Sequence, residues 1–406
     1  MKKRIAILSA VLAVLLLCGT ACGKETVTPG TTTEPHIPTG APTSSEKPSD
    51  SPSDQLNLPV YEVVPENDFH TALQYRYLTD PNLENILAYA SGTQELSRPA
   101  GTLMDFSADC AEHAGGYVMQ YADNENFDGA VTVHGLQSRS YRVYNLMLGE
   151  TVWWRGGTTL EEAQANPIHS MTTATLGPRN LYIDGVTNVR DIGGYESLLV
   201  AGGRIRQGLY YRGAKLDGIT DAGKAEMVRL GIRQEIDLRD NYQCNGPYVD
   251  GIKYTAVSIP SGSESRRFEE FAEEYRTIFG LIAKADENPV YLHCTAGADR
   301  TGISTFILLT VCGAKYEDIA RDYLFTNFST QGSRLNNFTT EFRQWWSKLD
   351  SFAGETKAEK AKAWLISKGV TAEQVERIRE IFVEGYTAQS DDSKGEDWNK
   401  NWTDFY

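Results

Sequence analysis

The stretch HCTAGADRT at residues 293–301 decides how this sequence is interpreted. It places Cys294 six positions before Arg300, with Gly297 midway between them. The apolar residues 289–292 before it predict a short buried strand, and residues 301–312 after it predict a buried helix. A tight loop between a strand and a helix N-terminus forms an anion site, because its N–H groups turn inward and the helix dipole favours negative charge.

A cysteine and an arginine at the two ends of such a loop suit attack on a phosphate ester. The thiolate of Cys294 can attack phosphorus, and the guanidinium of Arg300 can bind two phosphate oxygens at once. Free cysteine is mostly protonated at neutral pH, so we expect the loop dipoles and Arg300 to lower the pKa of Cys294. Thr301 can donate its hydroxyl to the sulfur and help it leave. The spacing therefore predicts hydrolysis through a cysteinyl-phosphate.

The remaining loop residues are predicted to bind substrate and to set the loop geometry. Backbone N–H groups within residues 295–298 are expected to bind the phosphate oxygens: Thr295, Ala296, Gly297 and Ala298. Gly297 permits conformations that a Cβ would hinder. His293 is expected to orient the loop through hydrogen bonds rather than act as a base. No Cys/His spacing indicates a metal, and this chemistry needs neither a metal nor a cofactor.

The loop resembles the HCxxGxxR[ST] signature of the cysteine-dependent protein tyrosine phosphatase superfamily. Other segments resemble its bacterial tyrosine/lipid phosphatase branch: NVRDIGG at 188–194, YRGA at 211–214, DLR at 237–239 and DYLFTN at 322–327. The resemblance covers about residues 175–390 and implies an α/β phosphatase domain, with a short central sheet flanked by helices. Ala298 stands where many members of this branch have Lys, which weakens the case for a multiply phosphorylated lipid substrate.

A general acid is needed to protonate the leaving oxygen, and two aspartates are candidates. Asp237 matches the DLR element, which the resemblance implies supplies the acid in some relatives, and Asp299 lies within the loop. Asp237 is preferred, with an ion pair to a nearby arginine as its alternative role. Arg190 and Asp191 are expected to brace the loop, and simple turn structure is the alternative for them.

The N-terminal segment predicts export. Residues 1–22 have basic residues, an apolar run and small residues before Cys22, as in a secretory signal peptide of the lipoprotein type. Lipidation of Cys22 would anchor the chain to the membrane outside the cytoplasm, and simple secretion is the alternative. Residues 23–56 are rich in Thr, Ser and Pro and predict a disordered linker. The acidic, aromatic tail at residues 391–406 is predicted to be loose.

Residues 57–172 predict an all-β sandwich domain ahead of the phosphatase-like domain at residues 173–390. Alternating runs at 117–121, 130–133, 141–144 and 151–154 are separated by Asn, Asp and Gly clusters, which is typical of antiparallel strands. Residues 144–153 weakly resemble a fibronectin type III turn. The tyrosines and tryptophans of these strands are expected to be ordinary core and surface residues, and a face for a glycan or envelope partner is the alternative.

Charge and cysteine content exclude two further classes. The net charge is −15 over 406 residues, without a long basic run, which argues against nucleic acid binding. Six cysteines are too few for a disulfide scaffold in a chain of this length. The predicted substrate is a phosphorylated protein, phosphotyrosine first, or a small phosphate ester such as an inositol phosphate or phosphoinositide. A non-catalytic envelope protein that binds phosphorylated ligands and a sulfurtransferase are the alternatives from other classes.

Overall fold

The computed structural model describes residues 69–263, 266–330 and 332–388. These residues belong to one compact unit, which spans residues 61–406. The predicted leader with Cys22, the predicted linker and the predicted acidic tail lie outside the described residues.

The described chain begins with two short helices, α1 (Ala72–Thr79) and α2 (Ile86–Tyr89). A capping box of Thr71 and Gln74 starts α1. Tyr77 and Ile86 are fully buried in the same hydrophobic core cluster as Leu324 of the phosphatase domain. Residues 72–89 lie within the range predicted to be a β-sandwich, so that prediction was wrong for this segment.

Residues 102–172 form two antiparallel sheets. Their strands are β1 (Thr102–Asp105), β2 (Tyr117–Ala122), β3 (Val131–Leu136), β4 (Ser140–Val143), β5 (Thr151–Gly157) and β6 (His169–Thr172), and helix α3 (Leu160–Ala165) follows β5. β1 pairs with β4, and the other four strands have the order β3-β2-β5-β6. The four alternating runs predicted as strands are strands. Their arrangement as a two-stranded and a four-stranded sheet does not confirm a separate fibronectin-like sandwich.

A six-stranded mixed sheet forms the centre of the phosphatase domain. Its strands are β7 (Arg179–Asn180), β8 (Arg190–Asp191), β9 (Tyr210–Gly213), β10 (Gln234–Asp237), β11 (Lys253–Ala256) and β12 (Val290–His293). The order is β11-β10-β12-β9-β8-β7, with β9 to β12 parallel and β7 and β8 antiparallel. The parallel register places Gly213, Asp237 and His293 side by side at the carboxyl edge of the sheet.

Helices pack against this sheet and complete the predicted α/β fold. They are α4 (Asp221–Arg229), α5 (Ala272–Ile282), α6 (Asp299–Val311), α7 (Tyr316–Phe325), α8 (Leu335–Asn337), α9 (Arg343–Lys348), α10 (Lys357–Ser367) and α11 (Ala372–Phe382). Residues 300–311 of α6 are all buried, including the polar side chains of Arg300, Thr301, Ser304, Thr305 and Thr310. α5 begins at Ala272, directly after Phe271, whose backbone is left-handed (φ 63°).

Among the described residues, no helix has the length and apolar character needed to cross a bilayer.

Candidate active site

The loop between β12 and α6 is held by hydrogen bonds to its carbonyl oxygens. Five consecutive carbonyl oxygens, those of residues 294–298, accept hydrogen bonds from donors on the outer side of the loop. Cys294 accepts from His293 Nδ1 (3.2 Å), Thr295 from the Lys215 N–H (3.2 Å), and Ala296 from Asn188 Nδ2 (2.9 Å). Gly297 and Ala298 both accept from Arg212, at 2.7 and 3.3 Å. Across each trans peptide the next N–H points the opposite way. The N–H groups that follow these carbonyls therefore turn inward, as an anion site requires.

Gly297 is required by its surroundings. Its φ is +66°, and an added Cβ would lie 2.2 Å from the carbonyl oxygen of Gly213 at the end of β9. Any other residue would combine a strained backbone with a clash against main chain. The glycine therefore lets the loop close against the neighbouring strand.

Cys294 lies at the start of this loop with a side chain that is almost wholly buried. Burial alone would raise the pKa of its thiol, but the charge of Arg300 and the neighbouring hydroxyl and N–H of Thr301 outweigh burial. The pKa of Cys294 is consequently lower than that of an ordinary thiol, as the sequence predicted. Cys110, Cys244 and Cys312, like Cys294, form no disulfide.

Arg300 is anchored beside the thiol by main-chain carbonyls. One guanidinium nitrogen donates to Ile259 (3.1 Å) and Leu238 (3.3 Å), and the other donates to the Thr295 hydroxyl (3.1 Å). The Asp240 carboxylate lies 3.6 Å away. A guanidinium has five N–H donors, so these contacts can fix its plane while donors remain for phosphate oxygens.

Asp237 forms an ion pair with Arg239, which was the alternative role considered for it. Its carboxylate is fully buried and accepts from Arg239 at 2.8 and 3.0 Å and from the Tyr254 hydroxyl at 3.2 Å. Burial would raise the pKa of Asp237, but the hydrogen bonds from Arg239 lower it below the ordinary range. A carboxyl that is held ionised by a salt bridge is a poor proton donor.

Asp299 has the more suitable position for a general acid. It is the first residue of α6, next to Arg300, and its side chain is about one-fifth exposed. The Tyr323 hydroxyl donates to one of its oxygens at 3.1 Å, and Arg334 lies 3.5 Å from the other. The carboxyl of Asp299 is therefore partly exposed and more loosely paired than that of Asp237, which favours Asp299 as the proton donor.

Arg190 and Asp191 brace the site at different places. Arg190 donates to Asp322 (2.7 Å) and to Asn188, whose own amide holds the loop. Asp191 instead pairs with Arg179 (2.9 Å) and accepts from the N–H groups of Gly193, in the adjoining turn, and Gly208, just before β9. Arg190 thus supports the loop through one intermediate residue, and Asp191 has the turn role that was its alternative.

Comparison with known proteins decides the family. The description "Tyrosine phosphatase family" fits residues 181–384, which is half of the chain. The chain belongs to this family. It is a cysteine-dependent phosphatase, and the matched residues include Cys294 and Arg300.

Several relatives of this phosphatase bear related names. A tyrosine-protein phosphatase from Cupriavidus necator is 28% identical over 202 residues, which cover 43% of this chain and 73% of the relative. The triple specificity protein phosphatase PtpB of Mycobacterium tuberculosis is 26% identical over 198 residues, covering 36% and 69%. A tyrosine-protein phosphatase from Nostoc commune is 26% identical over 147 residues, covering 30% of this chain and 50% of the relative.

Two phosphatases are among the solved structures that this chain matches. TpbA of P. aeruginosa, in complex with pTyr, is 13% identical with a TM-score of 0.26, and the match covers 46% of this chain and 95% of TpbA. The catalytic domain of the PP-IP phosphatase SIW14 from S. cerevisiae is 15% identical with a TM-score of 0.24, covering 35% and 88%.

Four residues that hold the site of this phosphatase were not predicted as site residues: Asn188, Arg212, Glu235 and Asp322. Arg212 and Asp322 form an ion pair, and Asp322 also binds Arg190. Asn188, Arg212 and Asp322 lie in the segments that resemble the family, which was the available signal. Glu235 carried only a weaker signal, a carboxylate within an otherwise buried strand.

Proposed function

We propose that this phosphatase is exported and hydrolyses phosphate monoesters, phosphotyrosine of proteins first, through a cysteinyl-phosphate. The observation that carries the proposal is the low-pKa thiol of Cys294 at the base of a loop with inward N–H groups. Such a loop stabilises both the attacking thiolate and the charge on the transferring phosphoryl group.

The reaction has two steps in this site. The Cys294 thiolate attacks phosphorus while the bond to the leaving oxygen breaks, and Asp299 supplies the proton that this oxygen takes up. Water then attacks the phosphocysteine, Asp299 takes back a proton, and the thiolate leaves with help from the Thr301 hydroxyl. That hydroxyl is buried and has no hydrogen-bond partner among the described residues, which leaves it available to the sulfur.

The charges around the loop favour a substrate with a single phosphate. Among the described residues, cations that hold or flank the loop face carboxylates: Lys215 and Arg239 face Asp217, Arg300 faces Asp240, Arg334 faces Asp299, and Arg190 and Arg212 face Asp322. A ligand with many phosphates needs unpaired cations around its site. Tyr242, which is 79% exposed and two positions after Asp240, offers a ring that can pack against a phenol.

Activity measurements on the purified full chain test this proposal. We expect hydrolysis of p-nitrophenyl phosphate and of a phosphotyrosine peptide, with much lower kcat/KM for inositol hexakisphosphate. Cys294→Ser is expected to lower kcat by at least about 10³-fold, because the nucleophile is lost. No turnover by the unmodified chain would support a phosphate-binding role instead, and preference for inositol hexakisphosphate would contradict the proposed substrate.

Export is tested separately from chemistry. The proposal rests on residues 1–22, which have the pattern of a lipoprotein signal. In a bacterial host grown with a radiolabelled fatty acid, the chain is expected to take up label and to fractionate with membranes. Cys22→Ser is expected to remove the label. Unprocessed chain in the cytoplasmic fraction would contradict export.

A further inference from the structure

Glu235 and His293 form a buried pair beneath the catalytic loop. They lie on neighbouring strands β10 and β12, and both side chains are 0% exposed. His293 Nε2 lies 3.0 Å from Glu235 Oε1, and His293 Nδ1 lies 3.2 Å from the carbonyl oxygen of Cys294. The histidine therefore connects a buried carboxyl to the main chain of the nucleophile.

These two contacts fix the number of protons in the pair. A carbonyl oxygen only accepts, so Nδ1 must carry a proton. The contact between Nε2 and Oε1 needs a second proton, carried either by the imidazolium or by a protonated carboxyl. In both arrangements the pair has a net charge of zero, and Nδ1–H points at the Cys294 carbonyl.

We propose that Glu235 is a positioning residue, which shares a proton with His293 and so keeps Nδ1–H directed at the Cys294 carbonyl. Without this partner, a neutral histidine could move its proton to Nε2. The lone pair of Nδ1 would then face the lone pairs of the carbonyl oxygen and repel it. The first of the five loop carbonyls would lose its donor, and the sulfur would lose its fixed position.

The groups around the pair leave Glu235 dependent on this proton. Asp237 lies 3.9 Å from Nδ1, but Arg239 already neutralises it. The hydroxyl of Tyr291 donates to Ala214, and that of Tyr254 donates to Asp237. Glu235 Oε2 has no hydrogen-bond partner among the described residues. An ionised, buried carboxylate with a bare oxygen is costly, so its neutralisation through His293 is strongly favoured.

A metal ion is a poorer explanation for the same three side chains. Ligand atoms of Glu235, Asp237 and His293 lie within 4.8 Å of one another. However, Arg239 donates to both oxygens of Asp237, and its guanidinium would repel a cation there. Nδ1 of His293 already faces a carbonyl, so a shared proton accounts for the contacts with no added ion.

Two variants of Glu235 and one control variant distinguish the effect of losing the shared proton from the effect of losing packing in the core. In Glu235→Gln the side-chain amide can still donate to Nε2 and leave the proton on Nδ1, whereas Glu235→Leu offers no partner. Met227→Ala is the control, since Met227 is fully buried in the core cluster that also holds Tyr291. It removes packing without changing a proton.

The first readout is ¹⁵N NMR of the full chain labelled at histidine, with His293→Gln used for assignment. We expect the spectrum of the unmodified chain and of Glu235→Gln to show a protonated Nδ1 at neutral pH. An unprotonated Nδ1 in the unmodified chain would overturn the proposal by itself, even if Glu235→Leu fails to fold. A change of this resonance on addition of EDTA would also overturn it, in favour of a metal.

The second readout is the pH dependence of Cys294 alkylation by iodoacetamide, followed by mass spectrometry. Glu235→Leu is expected to shift the midpoint upward and to lower kcat about 10- to 100-fold, as losses of such supporting contacts do, with less change in KM. Glu235→Gln should stay within about threefold of the unmodified chain, because its amide replaces the hydrogen bond. Met227→Ala should melt at a lower temperature with an unchanged midpoint.

An unchanged midpoint and kcat in Glu235→Leu would contradict the proposal. The Nδ1 resonance of His293 and the alkylation midpoint of Cys294 need no substrate, and kcat can be measured with p-nitrophenyl phosphate. A chain that shows both expected results but does not hydrolyse phosphotyrosine would therefore count against the proposed substrate only.

Discussion

At the residue scale, the two candidate acids are distinguished by what holds them. Asp299→Asn should lower kcat for a phosphotyrosine peptide by about 10²- to 10⁴-fold, because the leaving oxygen loses its proton donor. The loss should be smaller for p-nitrophenyl phosphate, whose leaving group needs less protonation.

Asp237→Asn breaks a buried ion pair and should lower the free energy of unfolding by about 3 to 5 kcal/mol. Steady-state kinetics and denaturant melts measure the two effects, and the opposite pattern would return the acid role to Asp237.

Gly297 supplies a second test at this scale. Gly297→Ala adds a Cβ 2.2 Å from the Gly213 oxygen, so the loop must move, and a shift of about 1 Å can cost 10²-fold in kcat. Gly231→Ala is a matched control, because Gly231 has a similar φ of +79° with nothing within 4 Å of the added Cβ. Both variants carry backbone strain, and only the first should lose activity. Equal activity of the two would show that the close contact does not position the loop.

At the scale of elements, the strand–loop–helix unit could be predicted because its signal is contiguous. Residues 289–312 contain the strand, the anion loop and the helix in one run. The contacts that hold the loop could not be predicted in the same way, since their donors come from residues 188, 212 and 215, far from it in the chain. For the same reason the sequence left the role of Asp237 open between general acid and ion pair, because it does not show which arginine faces this carboxyl.

The link between α7 and the loop predicts an effect on stability. Asp322 of α7 pairs with both Arg190 and Arg212, and burial of its carboxylate is outweighed by these two charges, which lower its pKa. Asp322→Asn leaves two buried guanidinium groups without a counter-charge. We expect about 3 to 5 kcal/mol lower stability and weaker phosphate binding. Calorimetry measures the first effect, and Asp221→Asn, an exposed pair with Lys224, should leave the melting temperature unchanged. Equal melting of both variants would contradict a structural role for the pair.

At the scale of the whole molecule, the predicted boundary at residue 172 divides a region that folds together. The alternating strands could be predicted because their pattern is local in the sequence. The core that they join could not, because its contacts come from distant parts of the chain. Arg179 of β7 donates to the carbonyls of Asn145 and Leu146, which follow β4. Asn180 donates to the Ser97 carbonyl at 2.8 Å. The β sheets are thus inserted between the N-terminal helices and the rest of the phosphatase domain.

This arrangement predicts that a chain beginning at residue 173 is unstable, although it contains the whole segment matched by the family. It lacks Tyr77, Leu78 and Ile86, which are almost wholly buried in the main core. Each such side chain contributes about 1.5 to 3 kcal/mol, so together they approach the total stability of a typical domain. We expect this truncated chain to be insoluble or to melt far below a chain of residues 61–406, which should unfold in one calorimetric transition. A soluble truncated chain with an unchanged melting temperature and full phosphatase activity would show that the boundary at residue 172 is real after all.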